Sequence, residues 1–83
     1  MSAAADAAAR HAVLTLVAER GAGRTACPSE AARRIGGVDW RAAMPSVHAA
    51  VDALVAEGAI RLSWQGVPRP MRDGAYRIAA REG

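Results

Sequence analysis

The spacing of apolar residues changes once along this chain, at Gly58, and that change limits the folds open to it. Before Gly58 the apolar positions recur three and four apart, the period of helices that bury one face. Val13, Leu16 and Val17 make one such stripe, and Val47, Val51, Leu54 and Val55 make another. After Gly58 the period becomes two: Ile60, Leu62 and Trp64 alternate with Arg61, Ser63 and Gln65, and Tyr76 and Ile78 flank Arg77. Alternation of that kind belongs to half-buried strands. Helices followed by strands, rather than the two interleaved, predict an α+β chain.

Local signals set the element bounds. A first helix is expected over residues 3–20, with Asp6 and Arg10 placed to pair one turn apart, and Gly21-Ala22-Gly23 ends it. Residues 24–27 read as a short extended stretch, because Pro28 pushes Cys27 out of helical space. Ser29 is the expected cap of a brief second helix over residues 30–35, with Ala31 and Ile35 inward and Glu30 paired to Arg34. Gly36-Gly37 stops it, and Asp39 caps the third helix. Pro45 sits too deep for a helix that begins at Trp40, so either the helix kinks near residues 41–44 or it begins at Pro45. Two strands joined by a loop over residues 65–74 then form an antiparallel hairpin. Helix, helix, helix, hairpin is the order of a winged helix. The expectation is one such domain over residues 1–83, with residues 1–5 frayed and a wing over residues 59–79.

Composition narrows the class. With 83 residues there is room for one core, and alanine supplies much of the apolar fraction. Phenylalanine is absent, so Trp40, Trp64 and Tyr76 are expected to be at least half buried as packing units. All 11 basic residues are arginine. With the alanine excess, that points to a GC-rich bacterial coding bias, which weakens any argument that arginine was selected for phosphate. The single cysteine, Cys27, excludes an internal disulfide, and with His11 and His48 it falls short of a zinc site. No signal peptide or bilayer-spanning run is read, so the expected location is the cytoplasm, with no membrane or metal partner.

Several fragments in order carry a resemblance: Cys27-Pro28-Ser29-Glu30-Ala31, Trp40-Arg41, Met44-Pro45, Gly58 with Ile60, Gln65-Gly66, and Arg77-Ile78. Together they resemble a family of small bacterial domains of unknown function with a winged-helix-like fold. The likeness runs from about Val13 to Ile78, and one departure is Gly74-Ala75, where members carry Gly-Pro before the last strand. The resemblance implies the architecture and brings no activity with it.

Charge is the most informative functional signal. Residues 1–58 hold six arginines and six acids, so the net +3 lies on residues 59–83, where five arginines face Asp73 and Glu82. A basic wing suits a phosphate backbone, and Pro68-Arg69-Pro70 would hold Arg69 on a stiff loop. The third helix argues the other way. Its outer face reads Ser46, Ala49, Asp52, Ala53 and Ala56, with no cation to read base edges. The leading expectation is weakly selective binding of double-stranded DNA through Arg33, Arg41, Arg61, Arg69 and Arg72. The alternative is a protein-interaction or self-association module that uses the small-residue face of the third helix. Cys27 precedes a helix start, where a thiolate is stabilised, but nothing places His11 or His48 beside it. A buried small hydrophobe is the preferred reading. No catalytic constellation or cofactor is read, and an enzyme is not expected.

Overall fold

The computed structural model describes residues 3–21 and 23–81, with side chains from Asp6 onward. Its first helix, α1 (Ala3–Arg20), buries Ala9, Ala12, Val13, Leu16 and Val17. The expected fraying over residues 1–5 meets a helix that already runs at Ala3; residues 1 and 2 lie outside the described ones. Gly21, at φ +82°, turns the chain and donates to the Val17 carbonyl at 3.1 Å.

Helix α2 (Pro28–Gly36) starts earlier than expected. Cys27, not Ser29, stands at its cap position, in extended conformation, with no side-chain cap bond. Pro28 explains the shift: its ring presets a helical φ, and the N–H it lacks has no partner in a first turn anyway. Gly37 leaves α2 at φ +58° and donates to the Arg33 carbonyl. One 3-10 turn, Gly37–Asp39, then leads directly into α3 (Trp40–Ala56). Pro45 lies inside α3, so the alternative start at Pro45 is overturned. The Arg41 carbonyl loses its i+4 donor there, a cost that falls in the second turn and leaves the rest of the helix intact.

The strands need a correction. The expected two-stranded hairpin is a three-stranded antiparallel sheet of order β2-β1-β3, with β1 at Ile60–Trp64, β2 at Val67–Arg69 and β3 at Arg77–Ala80. The segment read as loop contains a tight turn at Gln65-Gly66, with φ of +52° and +82°, the handedness that matches strand twist in two-residue hairpins. Trp64 pairs with Val67 and Leu62 with Arg69 across it. Pro68 is tolerated because β2 is an edge strand, with one side free of ladder bonds. On the far side of β3, Ala26 and Ile78 exchange backbone hydrogen bonds at 2.7 and 2.8 Å, which ties the link between α1 and α2 to the sheet.

Alanine is structural here. Ala9, Ala31 and Ala32 are fully buried beside Leu16, Leu54, Ile60, Leu62 and Ile78. A Cβ built on Gly36 would lie 3.2 Å from that of Ala43, so α2 and α3 approach closely there and a larger residue would require Ala43 to give by a few tenths of an ångström. Tyr76 is buried, and Trp40 and Trp64 are more than half buried, as packing units in a core without phenylalanine should be.

Neither local ion pair forms. Arg10 reaches across to Glu57 with two bonds, at 2.6 and 2.7 Å, instead of Asp6. Glu30 takes Arg20, and Arg34 takes Glu19 at 2.5 and 3.0 Å. Each acid faces an arginine from a neighbouring helix, and the tertiary partner wins over the one a turn away.

Candidate nucleic-acid interface

The structure splits the five predicted arginines into three settings. Arg33, on α2, and Arg41, at the start of α3, both stack on Trp40, with guanidinium carbons 4.9 and 4.4 Å from the ring centroid. The indole holds two cations at the α2–α3 junction without neutralising either. Both arginines are exposed, and neither makes an ion pair with a described residue. Trp40 is the organising residue that sequence reasoning treated only as packing. Its adjacency to Arg41 was the available signal.

Arg61 and Arg69 occupy the sheet, exposed and free of ion pairs with described residues. Arg61 projects from the middle strand, opposite Ala79. Arg69 sits on the edge strand beside Pro68, at the rim of a shallow depression that Arg61 also lines.

Arg72 is different. Its guanidinium binds both carboxylate oxygens of Asp52, at 2.9 and 3.0 Å. The pair holds the Asp52 carboxyl below the usual carboxylate range, mainly through that hydrogen bond, and raises the Arg72 guanidinium. One turn earlier on α3, His48 Nδ1 lies 2.6 Å from the Tyr76 hydroxyl. Burial pushes the His48 pKa down, Arg72 adding to the effect against Asp52, and burial pushes the Tyr76 pKa up. The imidazole and the phenol are joined by this one hydrogen bond. These contacts fasten the segment after β2 onto α3. Arg41, Pro45, His48 and Asp52 follow each other at four, three and four residues, so one stripe of α3 carries both the junction arginine and the anchors of the segment after β2.

The small-residue face is divided between two shallow apolar grooves. Ala49 and Ala53 line one with Asp6, Ala7 and Arg10 of α1. Asp52 and Ala56 line the other with Val55, Pro70, Met71 and Arg72. Ser46 is half buried and engaged. Cys27 is half buried, its Sγ 3.0 Å from the Ser29 hydroxyl.

Among the described residues no group of three or more His, Cys, Asp or Glu is placed to hold a metal ion, and no helix is long and apolar enough to cross a membrane. No curated protein matches the chain. Over residues 6–81 it matches the family described as a protein of unknown function (DUF3253), and it belongs to that family.

Proposed function

We propose that the domain is a winged-helix, helix-turn-helix-type module that binds double-stranded DNA with weak sequence selectivity. The observation that carries this reading is the division of arginines. Glu19, Glu30, Asp52 and Glu57 are consumed by Arg34, Arg20, Arg72 and Arg10. Arg33, Arg41, Arg61 and Arg69 stay exposed with no ion pair to a described residue, and Arg33 and Arg41 are held by Trp40. Cations fixed in place and left uncompensated suit a polyanion, since each phosphate contact releases counterions. Selectivity is weak in this reading because α3 offers bases Ala49, Ala53 and an Asp52 already bound by Arg72. The order of elements, with a strand bridge between the first two helices and a β1–β2 hairpin beside the third, supports the winged-helix description.

The test is a duplex titration at low and moderate salt. Affinity should fall steeply with salt, and Arg33→Ala/Arg41→Ala should reduce the slope by about two, roughly one per lost phosphate contact. Absence of binding at low salt would sink the proposal.

A second reading, a protein-interaction or self-association surface, is favoured by the apolar groove between α3 and the wing, where Met71 stays 67% exposed beside Val55, Pro70 and Ala56. A dimer in light scattering that Ala56→Arg abolishes would support it over DNA binding.

A further inference from the structure

The outer face of the sheet carries a second group of open polar side chains, away from the Trp40 junction. Strand pairing sets it out. Arg61 stands opposite Ala79, and Ser63 opposite both Arg77 and Pro68. The bridge of Ala26 with Ile78 brings Thr25 level with Ala79. Thr25, Ala79 and Arg61 therefore form a row across one face, with Ser63 and Arg77 in the next row, because directly paired residues share a face.

Ala79 is small, so the row has a low centre between longer side chains. The result is a shallow depression whose walls include Thr25, Arg61, Ser63, Arg69 and the glycines Gly23 and Gly66. Its polar groups are of one kind. Arg77 donates from Nε to the Thr25 hydroxyl oxygen at 2.7 Å and toward the Thr25 carbonyl at 3.4 Å. That leaves the Thr25 O–H free to donate elsewhere. Ser63, Arg61 and Arg69 make no side-chain hydrogen bond to a described residue, and no carboxylate lines the depression. Guanidinium and hydroxyl donors around a small floor match a tetrahedral oxyanion, which accepts several charge-assisted bonds at once.

We infer that this depression binds a phosphoryl group, with Arg61 as its principal cation and Ser63 and Thr25 as hydroxyl donors. Arg77 is a positioning residue that sets the rotamer of Thr25. The phosphoryl group has two sources, a free phosphate or phosphate ester and a backbone phosphate of DNA. The second source rests on the DNA-binding reading above, and the first stands without it.

Amide spectra of the full chain, titrated with inorganic phosphate at constant ionic strength, test the site. The expected result is saturating shifts at Gly23, Thr25, Arg61 and Ser63, with none at Arg33 or Arg41. Arg61→Gln and Ser63→Ala should each weaken phosphate by about tenfold, and both positions are surface sites where the fold should persist, which the unperturbed remainder of the spectrum reports. Shifts that stay linear, that chloride reproduces, or that survive Arg61→Gln would overturn the inference. A short duplex added to the phosphate-loaded protein then separates the sources. Displacement of phosphate assigns the site to the DNA backbone, and retention beside bound duplex assigns it to a free phosphorylated ligand. Phosphate binding with no duplex binding at all leaves this site standing while removing the DNA reading.

Discussion

The seams between the helices and the open surfaces of this molecule use the same residue in opposite ways. Between the helices, arginine is a staple: Arg10 joins α1 to the end of α3, while Arg20 and Arg34 join α1 to α2. On the sheet, and at the α2–α3 junction, arginine is left open, as Arg61, Arg69, Arg33 and Arg41 show. The residue type does not decide the role. What decides it is whether an acid stands on the facing element, and the acids are concentrated on the helices. Arg72 marks the boundary, since it comes from the segment between β2 and β3 and is closed by Asp52 of α3.

If that contrast has functional meaning, removing open arginines should change binding more than removing closed ones. Arg33→Ala/Arg41→Ala should weaken duplex binding at low salt by about 10- to 100-fold, the loss of two phosphate contacts. Arg10→Ala/Arg34→Ala removes the same formal charge and should weaken it far less. Fluorescence anisotropy measures both, and equal losses would erase the distinction between open and closed arginines.

The boundary residue allows the reverse experiment. Asp52→Asn frees the Arg72 guanidinium and removes a negative charge from the same stripe of α3. Duplex affinity should rise by about threefold to tenfold, with a steeper salt slope, as one further phosphate contact becomes available. No gain would mean that the wing position, and not the charge pairing, keeps Arg72 from the partner.

How the wing is anchored can be tested by stability. Tyr76→Phe removes the hydroxyl bonded to His48 Nδ1 and should cost about 1–2 kcal/mol in denaturant melts, with the sheet intact. His48 supplies the pH dependence. Burial lowers its pKa from the ordinary 6.5, so the unfolded chain takes up the proton before the folded one does. Stability should therefore fall as pH drops below about 6.5 and through the folded value, and His48→Gln should flatten that slope. Asp52, whose pKa is also lowered, acts in a separate window below its ordinary 3.8, where protonation breaks the bond to Arg72.

Much of the architecture was legible because it rests on short-range periodicity. The change of period at Gly58 marked β1, read one residue too far at Gln65, and the stripe from Val47 to Leu54 is buried as spaced. β2 was missed for two local reasons. Gln65 adopts a positive φ that its residue type disfavours, and Pro68 argued against a strand whose edge position makes it acceptable. The site was less legible. The arginines were visible, but pairing by sequence distance put Arg10 with Asp6 and Arg34 with Glu30. Helix packing presents Glu57 and Glu19 instead. Which arginine stays open is a tertiary property, and so is the convergence of Arg33 and Arg41 on Trp40.

The smallest effect concerns the staples themselves. Arg10 and Glu57 are each more than two-fifths exposed at the side chain, yet they bond with two parallel contacts. Bidentate geometry favours the pair, while solvent and salt screen it. Arg10→Gln should lower the melting temperature only slightly, and the difference from wild type should shrink further as salt is added. If the staples instead set the angle between α1 and α3, the loss would persist at high salt and grow non-additively when combined with Arg34→Gln. That outcome would make the helical arginines architectural, and it would strengthen the case that the open ones have been left free for a partner.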